Sequence, residues 1–129
     1  MELLVIDDAS TDQTKQVVHS LDDDRVRYLR LATNQGPAGA RNAGIRAAAG
    51  AFIAFQDSDV VWRPEKLEHQ LSVLEATGNH TGVVYTAVLR IEPTRQYVVP
   101  PPEVRRKSGD ISRELLERNF VDTPAALVR

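Results

Sequence analysis

Two short apolar runs, each followed by aspartates, constrain the fold of this chain more than any other feature. Residues 3–6 lead into Asp7-Asp8, and residues 52–55 lead into Asp57-Ser58-Asp59. Uninterrupted apolar runs of this length are typical of strands buried on both faces of a parallel sheet. Helical patterns follow both runs, and alternating strands and helices predict a layered α/β/α domain with a mainly parallel sheet. The predicted fold class is therefore α/β.

The other segments supply helices and further strands. Helices are predicted over residues 11–21, 37–49, 64–77 and 110–119, and strands over residues 25–31, 82–91 and 123–128. A capping box from Ser10 to Gln13 starts the first helix, and Gly50 is expected to end the second in the left-handed conformation. The second helix is rich in alanine, which allows close packing on a sheet. Residues 92–109, with several prolines and the triplet Arg105-Arg106-Lys107, are predicted to form a solvated loop.

Composition excludes several classes of protein. The chain has 129 residues, a formal charge of −2 and no cysteine. This size fits one domain, the charge argues against a nucleic-acid partner, and disulfides, thiolate zinc sites and cysteine nucleophiles are ruled out. The longest apolar stretch, residues 47–55, is far shorter than the about 20 residues that cross a bilayer. The N-terminal sequence has no basic region or cleavage site, so no signal peptide is expected.

The two aspartate motifs are the candidate functional residues. The carboxyl ends of parallel strands meet at one edge of a sheet, so both motifs are expected at the same edge. If residues 57–59 are extended, Asp57 and Asp59 share a face and offer oxygen ligands to Mg²⁺ or Mn²⁺, with substrate phosphates completing the coordination. A structural role, in which the aspartates cap backbone N–H groups at turns, is the alternative that the residues themselves leave open.

Four blocks of the sequence together resemble the family 2 glycosyltransferases with the GT-A fold. They are residues 5–12, 34–45, 49–59 and 62–67, and they occur in the order and spacing of that family. The resemblance implies metal-dependent transfer of a sugar, usually with inversion, from a nucleotide-diphosphate-sugar, commonly a UDP-sugar. The acceptor would be a hydroxyl on a saccharide, a lipid-linked molecule or a protein, as in polysaccharide or cell-wall synthesis. The implied location is the cytoplasm, with contact at the inner face of a membrane as a further option.

The same resemblance assigns roles to single residues. Asp8 matches the acid that contacts the base, Asp7 is its neighbour in that motif, and Arg41 matches an arginine near the nucleotide. Asp57 and Asp59 match the metal-binding Asp-x-Asp motif, which makes Mg²⁺ or Mn²⁺ the expected cofactor. The expected nucleotide-sugar-binding residues are thus Asp7, Asp8, Arg41, Asp57, Ser58 and Asp59. For Arg41, an ion pair between structural elements is an equally weighted alternative.

The sequence also departs from the family pattern. The family normally opens with an additional strand that ends in a Pro-x-Tyr-Asn-like motif, and neither this strand nor a general base is identified here. Residues 123–126 resemble the segment that precedes the base. We therefore expect a partial GT-A domain over residues 1–129, with residues 1–91 as the nucleotide-sugar-binding part and residues 92–129 as a loop and the start of the acceptor part. Weak binding, little or no turnover, and pairing of two copies through an exposed sheet edge are expected of such a piece.

Two other functions are alternatives for the same residues. Residues 52–61 also resemble the first motif of haloacid-dehalogenase-type phosphatases, in which Asp57 would be the nucleophile. A non-catalytic module that binds nucleotide or metal through Asp7-Asp8 is the other alternative. Trp62 is interpreted as a packed side chain rather than a platform for a sugar ring. The three histidines show no metal-ligand spacing and are expected to be solvated; they are His19, His69 and His80.

Overall fold

A computed structural model describes residues 1–101 and 108–129 of the chain. The described chain divides into two compact units, Met1–Ile53 and Ala54–Arg129. Every strand and helix lies within one unit except the two-residue strand Ile53–Ala54, which spans the division. The triplet Arg105-Arg106-Lys107, predicted to lie in a solvated loop, falls outside the described residues.

The first unit is built around a parallel pair of strands. Strand β1 (Leu3–Asp7) lies beside strand β2 (Val26–Arg30), with Leu3 opposite Val26 and Asp7 opposite Arg30. Helix α1 (Thr14–His19) connects the two strands, and helix α2 (Gly36–Ala47) follows β2. The predicted strand, helix, strand and helix are all confirmed. The parallel register brings the ends of β1 and β2 together, so the side chains of Asp7 and Arg30 are neighbours.

Small residues let α2 pack closely on β1. Ala43 is buried on this helix, and a Cβ atom at Gly44 would lie 3.3 Å from Cγ1 of Ile6. That distance is tighter than most carbon contacts, so a larger residue at position 44 would push the helix away from the strand. The predicted close approach of this helix to a sheet is confirmed.

The helix ends of the first unit differ from the prediction. Gln13, not Ser10, is the N-cap of α1, and the nearby side chain that binds backbone is Asp12, whose Oδ1 accepts from the N–H of Thr14. Helix α2 ends two residues early, and Gly50 is not left-handed. Glu2 explains the early end of α2, because its Oε1 accepts the N–H of Ala49 at 2.7 Å, in place of a carbonyl of the helix.

The second unit contains short strands and two helices. Its helices are α3 (Lys66–Thr77) and α4 (Ser112–Glu117). Strands β3 (Ile53–Ala54), β4 (Val83–Tyr85) and β7 (Ala126–Val128) form a sheet in the order β3-β7-β4, with β3 at the start of the unit. Strands β5 (Val88–Glu92) and β6 (Arg95–Val99) form a hairpin. Two single 3₁₀ turns, Gly78–His80 and Thr123–Ala125, precede β4 and β7.

Two predictions about the second unit are wrong. The strand predicted over residues 82–91 is interrupted between β4 and β5, and residues 95–99 form β6 although they were assigned to a loop. The turn at residues 93–94 returns the chain on itself, and Glu92 binds both Arg95 and the hydroxyl of Tyr97 across the hairpin. The pairs β4–β7 and β5–β6 are antiparallel and the pair β1–β2 is parallel, so the α/β class is confirmed and a mainly parallel sheet stays a prediction.

The core of the second unit lies between α3 and the strands β4 and β7. Leu74 is fully buried on α3, and Ala126 and Leu127 are buried on β7. The ring of Phe120 packs against the ring of Tyr85 with their centres 5.9 Å apart. No helix within the described residues has the length and apolar character needed to cross a lipid bilayer.

Candidate functional site

Asp7 ends β1 with a carboxylate that is bound on both oxygens. Its side chain is buried, Oδ1 accepts from the N–H of Ser10 at 2.7 Å, and Oδ2 accepts from the hydroxyl of Tyr28 and from Nη1 of Arg30 at 2.9 Å. Arg30 also donates from Nη2 to the carbonyl of Ser10 at 2.7 Å. Asp7 therefore ties the turn after β1 to the side chains of β2.

These hydrogen bonds keep Asp7 ionised. The pKa of its carboxyl is lowered to about 2, first by the hydrogen bond from Tyr28 and then by those from Ser10, with the charge of Arg30 adding to them. The same contact raises the pKa of the Tyr28 hydroxyl, because the neighbouring carboxylate disfavours a phenolate. At neutral pH this cluster consists of a carboxylate, a neutral phenol and a guanidinium.

Asp8 and Ala9 shape the turn that leaves β1. Oδ1 of Asp8 accepts from the N–H of Gln35 at 2.7 Å, and Gln35 is the N-cap of α2. A carboxylate at the N-terminal end of a helix is favoured by the helix dipole. Ala9 has φ 62°, a left-handed conformation that favours glycine. The strained turn thus holds Asp8 beside the start of α2, and Arg41 lies farther along the same helix with a partly buried side chain.

The Asp57-Ser58-Asp59 motif forms a turn and not an extended segment. The carbonyl of Asp57 accepts from the N–H of Val60 at 3.1 Å, and the side-chain amide of Gln56 donates to the carbonyl of Val60 at 2.9 Å. Aspartate and serine favour turns, which explains why the expected strand ends at Ala54. The predicted alternation of Asp57 and Asp59 on one face is therefore wrong. Ser58 and Asp59 are exposed, and Asp57 is partly buried.

A metal ion bound at this turn would need further ligands from water or from a bound substrate. Across residues 1–101 and 108–129, no group of three or more His, Cys, Asp or Glu side chains could hold a metal ion. Mg²⁺ commonly binds proteins through one or two carboxylates and takes its other ligands from water and substrate phosphates. The oxygen donors of Asp57 and Asp59 fit such an ion, but they do not form a complete metal site by themselves.

The three histidines, which are expected to be solvated, lie at the surface. All three are exposed, and the ring of His19 meets the ring of Tyr28 edge to face with their centres 5.3 Å apart. His19 therefore shields the outer side of the tyrosine that binds Asp7.

A buried polar network around Gln70 was missed from the sequence. Gln70 is 1% exposed on α3, its Nε2 donates to the carbonyls of Val84 and Ala125, and its Oε1 accepts from Nζ of Lys66 at 2.7 Å. Burial lowers the pKa of Lys66 to about 8. Its spacing in the sequence indicates this burial, because Gln70 lies four residues before Leu74 and therefore on the same, buried face of the helix.

Trp62 extends this network toward the Asp57–Val60 turn. Its indole N–H donates to the carbonyl of Pro124 at 3.1 Å, and Nζ of Lys66 lies 4.1 Å from the centre of its ring. The interpretation of Trp62 as a packed side chain agrees with these contacts.

The candidate residues are divided between the two units. Asp7, Asp8 and Arg41 belong to the first unit, and Asp57, Ser58 and Asp59 belong to the second. The convergence of the two motifs on one site stays a prediction.

The chain was also compared with known proteins. A family model described as "Glycosyl transferase family 2" matches residues 1–129. The chain is 45% identical over 83 residues to the succinoglycan biosynthesis protein ExoO of Rhizobium meliloti (strain 1021). These residues make up 64% of this chain and 24% of that protein.

Two further relatives have a similar level of identity. The UDP-Glc:alpha-D-GlcNAc-diphosphoundecaprenol beta-1,3-glucosyltransferase WfgD of Escherichia coli is 47% identical over 73 residues, 57% of this chain and 29% of that protein. The putative teichuronic acid biosynthesis glycosyltransferase TuaG of Bacillus subtilis (strain 168) is 39% identical over 75 residues, 57% of this chain and 30% of that protein. The matched part thus spans less than a third of each of these curated relatives.

Proposed function

Because the chain belongs to glycosyl transferase family 2, we propose that it forms the donor-binding part of an enzyme that transfers a sugar from a nucleotide-diphosphate-sugar to an acceptor hydroxyl. The observation that carries this proposal is the match of the family model to residues 1–129. The family has the GT-A α/β fold, and the matched part spans less than a third of the relatives described above. Residues 1–91 would bind the donor, and residues 92–129 would begin the acceptor side. The match gives no support to the phosphatase alternative.

Asp8 is the better candidate of the first motif for direct contact with the donor. Both oxygens of Asp7 are taken by Ser10, Tyr28 and Arg30, so Asp7 acts on the site by positioning its neighbour. Oδ1 of Asp8 is bound by Gln35, whereas Oδ2 accepts no hydrogen bond from the described residues. That oxygen can accept the N–H of a nucleobase such as uracil, and a UDP-sugar is the proposed donor because the family commonly uses one.

The second motif is proposed to bind the diphosphate. Asp57 and Asp59 would hold a Mg²⁺ or Mn²⁺ ion, which when bound offsets the negative charge of the diphosphate. The exposed hydroxyl of Ser58 can donate to a phosphate oxygen, and the guanidinium of Arg41 supplies a further positive charge. Fixed groups that stabilise charge as it develops on the leaving diphosphate favour the transition state over the ground state. We assign no general base, and inversion at the sugar carbon is proposed from the family alone.

The acceptor is proposed from the names of the relatives. Two of these proteins carry the names of bacterial polysaccharides, succinoglycan and teichuronic acid, and WfgD is named for an acceptor linked to diphosphoundecaprenol. We therefore propose a saccharide or lipid-linked saccharide acceptor, which would bring the enzyme to a membrane surface. Pairing of two copies through a sheet edge would appear as a dimer in sedimentation experiments.

Nucleotide titration with and without Mn²⁺ tests the proposed function. UDP or a UDP-sugar should raise the melting temperature of the chain only when Mn²⁺ is present, because a ligand that binds the folded state stabilises it by mass action, about 1.4 kcal/mol at ten times Kd. GDP-sugars serve as the nucleotide control. Failure of every nucleotide diphosphate to stabilise the chain at millimolar concentration would contradict the proposal. Hydrolysis of an aryl phosphate that is lost in Asp57→Asn would favour a phosphatase instead.

A further inference from the structure

Gln70 joins three separate elements of the second unit. Its side-chain amide donates to the carbonyl of Val84 on β4 at 2.8 Å and to the carbonyl of Ala125 at 2.9 Å, while its carbonyl accepts from Lys66. Ala125 ends the 3₁₀ turn that leads into β7, and its carbonyl also accepts from the N–H of Thr86 at 3.2 Å. A buried amide with all of these bonds made is costly to replace, because its partners would lose hydrogen bonds in a place without water.

Trp62 binds the neighbouring residue of the same turn. Its indole N–H donates to the carbonyl of Pro124, next to the carbonyl of Ala125 that Gln70 binds. Lys66 connects the two side chains, since it donates to Gln70 and lies over the ring of Trp62. Trp62, Lys66 and Gln70 therefore form one continuous polar brace on the turn Thr123–Ala125.

Trp62 also lies close in the chain to the turn that carries Asp57 and Asp59. Val60 closes that turn by donating its N–H to Asp57, and Trp62 follows two residues later. Val61, the residue between them, is 94% exposed and makes no apolar anchor. The first anchored side chain after the turn is thus Trp62.

We propose that Trp62 and Gln70 are positioning residues, which tether the chain just after the Asp57–Val60 turn to the Thr123–Ala125 turn and so restrict the carboxylates of the first turn for the metal and diphosphate. This inference rests on the proposed function of the turn. Trp62 and Gln70 touch neither donor nor metal in it. They act by limiting the movement of the segment that ends the turn, because positions fixed before binding reduce the entropy lost on binding.

Substitution of the indole nitrogen tests this role. Trp62→Phe keeps an aromatic ring for Lys66 but removes the hydrogen bond to the carbonyl of Pro124. One hydrogen bond contributes about 1 kcal/mol to the ordered state, so complete loss of the order it provides limits the effect on binding to roughly fivefold. We expect Mn²⁺-dependent UDP binding to weaken about fivefold in calorimetry at a temperature well below unfolding. Tyr97→Phe is the matched control, because it removes one hydroxyl hydrogen bond from the β5–β6 hairpin of the same unit. A variant that unfolds more easily but binds UDP within about twofold of the parent chain would overturn the proposal.

A second measurement is independent of nucleotide binding. Trp62 is the single tryptophan of the chain, so its fluorescence reports on the brace directly. Gln70→Leu should shift Trp62 emission to the red and increase its quenching by acrylamide, while Tyr97→Phe should leave both unchanged. If Gln70→Leu fails to fold, Lys66→Met provides the same test, because it removes the link between the two side chains and leaves Gln70 bound to β4. Unchanged emission and quenching in Gln70→Leu or Lys66→Met would contradict the proposed positioning role of the brace. Absence of UDP binding by the parent chain would instead contradict the proposed function.

Discussion

The two aspartate motifs follow short strands in the same way, yet their side chains are in opposite situations. Asp7 is 3% exposed and accepts hydrogen bonds from Ser10, Tyr28 and Arg30, whereas Asp59 is exposed at the corner of a turn. The first motif is held by these hydrogen bonds, and Oδ2 of its second aspartate, Asp8, accepts no hydrogen bond from the described residues. The second motif is a turn that is closed through its backbone, by the N–H of Val60 on the carbonyl of Asp57. A shared sequence pattern thus gives one buried, hydrogen-bonded aspartate and one exposed aspartate.

Replacement of Asp7 should give the largest effect on stability. Asp7→Asn keeps the shape of the side chain but replaces one acceptor oxygen by an NH₂ group. That group would face a donor in either orientation, because Ser10, Tyr28 and Arg30 all donate to Asp7. We expect the melting temperature to fall by roughly 5–10 °C, as measured by circular dichroism. Asp8→Asn is the adjacent control, because an asparagine oxygen can still accept from Gln35. Equal losses in the two variants would show that the contrast between Asp7 and its neighbour is wrong.

Replacement of Asp59 should leave stability nearly unchanged but weaken ligand binding. Asp59→Asn removes an exposed carboxylate at a turn, so the free energy of unfolding should change by no more than about 0.5 kcal/mol. Mn²⁺-dependent UDP binding should weaken at least about tenfold, because a proposed metal ligand is lost. Glu75→Gln, an exposed acid on α3, makes the same change in charge and should leave binding unaffected. A stable Asp59→Asn variant with normal metal dependence would remove Asp59 from the proposed site.

Acid unfolding should separate the contribution of Tyr28. The pKa of Asp7 is lowered from 3.8 to about 2, so its stabilising effect is complete above pH 3.8 and is lost as the pH falls toward 2. Tyr28→Phe removes the largest cause of this lowering. We expect the pKa of Asp7 to rise, the acid transition to move to higher pH, and the melting temperature at pH 7 to fall by a few degrees, about 3–5 °C. Identical acid transitions in both proteins would contradict this assignment.

The smallest effect is expected at the strained turn between the strand and α1. Ala9 has φ 62°, where glycine has no steric penalty, so Ala9→Gly should stabilise the chain by roughly 0.5–1 kcal/mol. Urea unfolding measures this difference. The control is Ala38→Gly on α2, where glycine should instead destabilise by about 1 kcal/mol. Destabilisation by Ala9→Gly would show that the turn is not strained.

Much of the secondary structure was predictable because its signals are local. The apolar run at residues 3–6, the small residues of the second helix and the leucine spacing of the third helix each reflect one element, and β1, α2 and α3 all form there. One error fell where a distant residue intervened, and another fell in a local hairpin. Glu2 ends α2 early although it lies 47 residues from Ala49, and the hairpin β5–β6 replaces an expected loop.

By itself the sequence determined the alternation of strands and helices, the placement of both aspartate motifs after strands, and membership of a glycosyltransferase family. Only the tertiary structure decided which carboxylate is engaged and which is exposed. Asp7 meets Tyr28 and Arg30 from 21 and 23 residues away, and Gln70 meets Ala125 from 55 residues away. Such hydrogen bonds leave no periodic trace in a chain, because they depend on which strands and helices become neighbours when apolar faces are buried.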